Sequence, residues 1–334
     1  MMSTFPHLFL FSSTMVLGTM ISLSSSNWVM IWLGMELNLM SFLPLMTLSK
    51  QNQESEAAIK YFLAQCWGGS FFLLGMTLSY FFPSQLKFIP ILIVLVSLMM
   101  KAGMAPCHFW FPSVMNSMSW TLCLLLSTWQ KITPLLLLFT FSSPSTLPMM
   151  TLLGATSIIA GSLGGIMQTQ VRPLLAYSSI SHMGWMTVIS PFSTSMAILY
   201  LSTYIIMTTP IMLLLAQSNA LSTKSTNLIS SMGQTNSLWF FLMILSLGGM
   251  PPTTGFMIKL IAVETLVNNS MVLPTILFLV AATVNLSFYL NLVFYTYLSS
   301  TFTSLKHAYE PKTAIPISMF AISMFWLIPL TSLI

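Results

Sequence analysis

Five stretches of the chain run without a single Asp, Glu, Lys or Arg: 3–35, 132–171, 173–223, 225–258 and 265–305. Apolar residues occupy them on all sides, neither alternating nor confined to one stripe. A membrane-spanning strand would alternate over about 10 residues and keep a polar inner face. Only helices satisfy every backbone group in such surroundings. At about 20 residues per span, most of these stretches hold two helices and a turn. Clusters of Ser, Asn, Pro and charge mark the breaks. They predict helices over 3–23, 27–47, 57–82, 88–111, 115–141, 148–169, 173–190, 194–217, 237–266, 272–299 and 313–333. The fold class is an all-α integral membrane protein with about eleven transmembrane helices and no soluble domain.

Composition narrows the classes further. Charged residues make up 4% of the chain and apolar residues 56%, whereas soluble domains carry about 25% charged residues. Mean hydropathy is +0.88. A water-soluble protein could not cover itself this way, so soluble-enzyme, nucleic-acid-binding and disordered classes are excluded. The net charge of +5 is scattered and does not point to nucleic acid. Cys66, Cys107 and Cys123 lie in or beside apolar spans and read as small buried hydrophobes. A cysteine-ligated cluster takes four. No Cys-x-x-Cys, Gly-x-Gly-x-x-Gly or P-loop occurs, so no resident cofactor or metal is expected. The first 35 residues lack Lys and Arg, so no cleavable targeting segment is expected and 2–23 reads as the first span. The 29 methionines exceed what gap-filling between helices explains. A genetic code with extra Met codons, as in animal mitochondria, would account for them.

Charge also orients the chain. With eleven spans, Lys50, Lys60, Arg172, Lys224, Lys306 and Lys312 fall on one side and Lys87 on the other. The positive-inside rule puts the first set, and the N-terminus, on the cytoplasmic or matrix side. The C-terminus then lies opposite. Lys87, beside a helix start, reads as a snorkelling group. Gly161 and Gly165 form a Gly-x-x-x-Gly suited to close helix packing. A weak echo links Lys101-Ala-Gly-Met-Ala-Pro106 in the fourth span to Leu247-Gly-Gly-Met-Pro-Pro252 in the ninth. Each places a proline mid-helix, where it breaks the helix. Paired interrupted helices mark ion pathways in transporters, and an odd number of spans between them would make the repeats inverted.

The chemistry rests on ionisable groups inside the spans: Glu36, Lys101, Lys131 and Lys259. Each central charge costs about 2.5–3.5 kcal/mol, on the order of 10 for the four together. Such groups pair, line water-filled cavities, or both. Glu36 and Lys101 read as a fixed ion pair pinning two helices, or as a tuned pair in which the carboxylate sets how firmly the lysine holds its proton. Three lysines against one carboxylate suit a relay better than a rigid scaffold. Glu264 reads equally as a partner of Lys259 or as a solvated group near a helix end. His182, in Ser178-Ser-Ile-Ser-His-Met-Gly184, suits a proton station and equally a packing histidine. His108, after the fourth-span break, is a weaker candidate for proton delivery; no third ligand makes Cys107 and His108 a metal site. His7 and His307 read as surface groups.

Four runs carry a resemblance. Met100-Lys-Ala-Gly-Met-Ala-Pro-Cys-His-Phe-Trp-Phe-Pro112 resembles the broken-helix signature of the antiporter-like subunits of respiratory complex I. Trp129-Gln-Lys-Ile-Thr-Pro134, Ala176-Tyr-Ser-Ser-Ile-Ser-His-Met-Gly-Trp185 and Gly248-Gly-Met-Pro-Pro-Thr-Thr-Gly-Phe-Met-Ile-Lys259 are similar to the same family. The similarity runs over essentially the whole length, and the four motifs together are highly specific.

The resemblance implies a single transmembrane domain of two inverted five-helix repeats, 1–145 and 146–300, with a C-terminal loop and last helix over 301–334. Bacterial relatives have three further N-terminal helices. The family's buried glutamate falls on Glu36, its broken-helix lysine on Lys101, its bridging lysine on Lys131 and its second-half lysine on Lys259. Ser113 stands where relatives often carry Glu, which puts a carboxylate at that entrance in doubt. The implied function is proton translocation across the mitochondrial inner membrane, coupled to NADH:ubiquinone electron transfer on other subunits. NAD, FMN, iron–sulfur clusters and ubiquinone would belong to those subunits. The implied partners are other membrane-arm subunits, including neighbouring antiporter-like chains, and lipid, with cardiolipin a candidate. The alternatives are a non-pumping membrane scaffold and a stand-alone cation/proton antiporter, which would need more carboxylates than this chain has.

Overall fold

The computed structural model describes residues 6–48, 52–81, 88–218, 234–251 and 253–303. The predicted last helix, 313–333, lies outside them, as do Lys50, Lys87, Lys224, Lys306 and Lys312. Among the described residues the regular structure is helical, with no strand. The helices are α1 (Pro6–Ser24), α2 (Trp28–Met46), α3 (Asn52–Phe81), α4 (Phe88–Ala102), α5 (Trp110–Ser117), α6 (Trp120–Ser127), α7 (Trp129–Thr140), α8 (Leu147–Ile166), α9 (Val171–Ile189), α10 (Thr194–Ser218), α11 (Gln234–Gly248), α12 (Thr254–Asn268) and α13 (Val272–Thr303). Among the described residues, seven stretches are long and apolar enough to cross a membrane: α1, α2, α3, Trp120–Thr140, α8, Thr194–Gln217 and Val272–Phe294. Hydroxyls inside the helices bond back to the preceding turn, as Ser22 does to the Thr19 carbonyl at 2.8 Å and Thr208 to Tyr204 at 3.0 Å. These hydroxyls thus satisfy their own donors inside apolar helices.

The chain forms two compact units, Met1–Leu153 and Gly154–Ile334. In the first, α1 packs along α2 and α3 along α4. Small residues set the α1–α2 approach. A methyl built on Gly34 would come within 2.7 Å of both the Gly18 carbonyl and the Ser22 nitrogen. Backbones this close are typical where small residues replace the missing hydrophobic drive between membrane helices. In the second unit α9 is the inner helix, buried along nearly its whole length. Its seam with α8 is built the same way, with Gly154 facing the Gly184 carbonyl and Gly161 facing the Tyr177 carbonyl. The predicted Gly161/Gly165 pair divides its work: Gly161 seats α9, whereas Gly165 meets the Phe288 ring of α13.

Among the boundaries that differ from the sequence reading, two lie beside the fourth-span break. The segment after the fourth-span break is helical over Trp110–Ser117 rather than ending at 111. Pro112 lies in the first turn of α5, where a missing N–H breaks no helical bond. The fifth span begins at Trp120, not 115, and bends at Thr128, which has φ −113° and ψ −70°. There the Thr128 backbone and hydroxyl both donate to the Leu124 carbonyl, at 3.0 and 2.7 Å.

The breaks themselves are not made by proline, as the sequence suggested. Gly103 has φ +77° and Gly249 φ +82°, the left-handed conformation that glycine adopts without penalty. In α4, Gly103 N–H donates to Met100 at 3.2 Å and Met104 N–H to Met99 at 2.9 Å. In α11, Gly249 N–H donates to Ser246 at 3.0 Å and Met250 N–H to Leu245 at 3.2 Å. These are the paired bonds of a Schellman cap. Gly-Met ends each half-helix, and the prolines follow, where the helix has already stopped.

Because backbone flanks Gly34 on both sides, Gly34→Ala is expected to push α1 from α2 and cost on the order of 1–3 kcal/mol. The amount of assembled protein on native gels should fall. Leu33→Ala on the exposed side of α2 should leave it unchanged.

Candidate functional site

The first centre lies where α4 stops. Lys101 is in the last turn of α4, and its Nζ lies 3.0 Å from Glu36 Oε1 of α2. The lysine side chain is 4% exposed and the glutamate 19%. The two helices reach each other across α3, which presents glycine at two consecutive positions. A methyl on Gly68 would lie 2.7 Å from Lys101 Cγ, and one on Gly69 would collide with Glu36 Oε1. Gly68 and Gly69 are therefore the floor of the ion pair. The surrounding donors hold the helix end: Gln65 Nε2 donates to the Lys101 carbonyl at 3.0 Å, and Trp110 Nε1 to the Met100 carbonyl at 3.1 Å. An ammonium is favoured at a helix C-terminus by the helix dipole as well as by the carboxylate.

Lys131 follows the Thr128 bend, is 2% exposed and places Nζ 4.2 Å from the centroid of the Phe111 ring. A cation over an aromatic face is attracted by the ring quadrupole. Its neighbour Gln130 donates to Asn38 Oδ1 at 3.0 Å and accepts from the Tyr61 hydroxyl at 3.3 Å. This polar chain ties α7 to α2 and α3, and Asn38 lies two residues beyond Glu36. His108 is buried after the break, with Nδ1 3.3 Å from the Pro106 carbonyl. The Ser113 hydroxyl donates to the Trp110 carbonyl of its own turn at 2.8 Å.

The second unit has its own lysine at a broken helix. Lys259 of α12 reaches back across Gly249 and donates to the Gly248 carbonyl at 2.7 Å. A methyl on Gly249 would lie 2.9 Å from that amine. Glu264, which the sequence left open as a partner, is exposed and makes no ion pair with Lys259. Five residues turn a helix by about 140° from a given face. His182 is buried on α9 with Nδ1 3.0 Å from the Tyr200 hydroxyl, and Ser181 beside it accepts from Asn285 Nδ2 at 2.9 Å. Among the described residues no three His, Cys, Asp or Glu side chains gather into a metal-holding group.

The arrangement is thus a carboxylate–lysine pair and a buried lysine in one unit, and a carbonyl-capped lysine with a buried histidine in the other. Residues 25–287 match the family model described as NADH:quinone oxidoreductase/Mrp antiporter, transmembrane. The chain belongs to this antiporter family. Among curated members, it is 40% identical to NADH-ubiquinone oxidoreductase chain 2 of Lumbricus terrestris over 289 residues, 86% of each chain. Among solved structures, it matches a chain of respiratory complex I from Thermus thermophilus with a TM-score of 0.84 at 26% identity, over 99% of this chain and 79% of that one. The Mrp complex of a Dietzia species has the same fold, with a TM-score of 0.76 at 17% identity over 84% of this chain and 59% of that one.

In this candidate site Gly68, Gly69, Gln65 and Tyr200 had no sequence signal of their own, and Trp110 and Phe111 stood in the broken-helix run without a role assigned to them. The consecutive glycines Gly68-Gly69 in α3 were the nearest thing to one.

Gly69→Ala would force the Glu36 carboxylate off its seat and open the ion pair. It is expected to lower NADH–quinone turnover to about the level of Glu36→Gln, with assembly retained, each losing roughly 10-fold or more. Normal turnover in Gly69→Ala would mean that the pair tolerates displacement.

Proposed function

We propose that this chain is a proton-translocating, antiporter-like subunit of the membrane arm of NADH:ubiquinone oxidoreductase in the mitochondrial inner membrane. The observation that carries this reading is the Glu36–Lys101 pair at the capped end of α4, 3.0 Å between Nζ and Oε1, in a chain of the antiporter family. Electron transfer from NADH to ubiquinone takes place on other subunits, which hold the redox groups. This chain holds none and assembles with other membrane-arm subunits.

A structural or electrostatic pulse from the redox reaction acts on Glu36. The carboxylate is the movable member of the pair, being the more accessible of the two. When it withdraws, the ammonium of Lys101 loses its carboxylate partner and gives up its proton. The proton enters a relay that includes Lys131 and His182 and ends at Lys259. Each step moves one proton from a donor nitrogen to an acceptor through hydrated side chains and leaves the donor neutral. Work against the field is about 2.3 kcal/mol per charge per 100 mV, so the steps need the redox drive. His108 serves proton entry beside the break, and Glu264 a group at the outer surface of the chain. The recurrence of the Gly-Met caps at Gly103 and Gly249 supports an inverted pair of five-helix repeats. Lipid, cardiolipin included, covers the exposed apolar faces.

The excess of Lys and Arg on one set of loops favours an N-terminus in the matrix and a C-terminus in the intermembrane space. Tags placed at 51–53 and 305–311 are expected to be reachable from the matrix side alone. Labelling of both from the intermembrane side would reverse the orientation.

Lys131→Met and Lys259→Met each remove a charge and keep most of the aliphatic volume. For a scaffold the loss of a buried charge is neutral or stabilising. For a relay it removes a stopping point, and a fall of roughly 10-fold or more in pumping-coupled turnover is expected, with the complex assembled on native gels. Full proton yield in vesicles from both variants would leave this chain a spacer between pumping neighbours.

A further inference from the structure

Phe111 joins two features that are otherwise separate. Its ring carries the Lys131 ammonium, 4.2 Å from the centroid. Its Cβ is pressed against the turn that ends α4: a methyl on Gly103 would lie 2.9 Å from it. Phe111 is 1% exposed and sits in the first turn of α5, so it moves with that half-helix. Trp110, one residue earlier, bonds the Met100 carbonyl at 3.1 Å. The start of α5 is therefore clamped to the last turn of α4, one residue from Lys101. These contacts would pass a change in the α4 break to α5 and to the Phe111 ring over Lys131.

We propose that Phe111 is a positioning residue that couples the two lysines of the first unit, by holding the Lys131 charge over a ring whose place is set by the α4 break. The inference rests on the relay proposed above. A ring face attracts the ammonium and is indifferent to the neutral amine, so it favours Lys131 in its charged state only while the ring lies beneath the nitrogen. Opening of the Glu36–Lys101 pair then reaches Lys131 by two routes. One is the electrostatic effect of the arriving or departing proton. The other is the displacement of the ring. The second route needs no hydrogen bond between the lysines and works through packed, rigid contacts.

The test uses the assembled complex with Phe111→Leu, Phe111→Tyr, Lys131→Met and the double variant Phe111→Leu/Lys131→Met, reading native-gel assembly, turnover and protons per electron in vesicles. Phe111→Leu removes the ring face and is expected to slow pumping-coupled turnover roughly 2- to 30-fold, the span of a cation–π contact. Phe111→Tyr keeps the face and should retain wild-type pumping. In the Lys131→Met background, Phe111→Leu should add no further loss, because the charge that it serves is gone. An added loss in the double variant would make Phe111 a packing residue, and normal pumping in Phe111→Leu beside an impaired Lys131→Met would remove its role altogether. If Lys131→Met itself pumps normally, the relay reading fails first. Should Phe111→Leu not assemble, Phe111→Met fills similar volume without a ring and carries the same expectation.

Discussion

An ammonium inside a membrane-thick helical protein must be given oxygen or a π face, and every other feature of the site follows from how this chain supplies them. Each uncompensated charge costs several kcal/mol at that depth. A continuous helix offers nothing, because its carbonyls are already taken by its own N–H groups. Interrupting the helix frees carbonyls at one end. Lys101 lies at such an end, where Gln65 and Trp110 take freed carbonyls, and its ammonium takes the Glu36 carboxylate. Lys259 takes the freed Gly248 carbonyl directly. Lys131, in the first turn of α7 just after the Thr128 bend, meets the Phe111 face.

Glycine is what lets these groups meet. The two caps need a left-handed residue, and Gly103 and Gly249 provide it. The floor of the ion pair needs no side chain at all, and Gly68 and Gly69 leave that space. Gly249 serves both ends at once, ending α11 and clearing a path for the Lys259 side chain. Neither the turn nor the lysine contact would survive a larger residue there.

The buried charges were legible in the sequence because a lone Glu or Lys in an apolar run is conspicuous, and pairing by sign alone put Glu36 with Lys101. The breaks were legible in place but not in cause: proline drew the reading, whereas the Gly-Met pairs make the caps. Phe111, Gln65 and Tyr200 could not be read, because one more aromatic or amide in a membrane helix carries no pattern; only the register between helices gives it a partner. Of the two readings left open for Glu264 the structure has the exposed one, since a five-residue step turns the helix well away from the face of Lys259.

The two units solve the same problem with different reserves. At Lys101 a charge of opposite sign stands opposite the ammonium, and the pair as a whole is neutral. Moving either member changes the field around it sharply, since two unit charges a few ångströms apart interact far more strongly in a low-dielectric interior than in water. At Lys259 the partner is a carbonyl dipole fixed by a helix end, which cannot leave and cannot be protonated. In the proposed relay the first centre is thus suited to receive a signal and the second to hold a proton with a constant affinity until the field around it changes. A carboxylate beside Lys259 would have made that site a second switch and anchored the proton there. Among the described residues no carboxylate joins the Gly248–Lys259 contact, which leaves a single ammonium at the end of a broken helix.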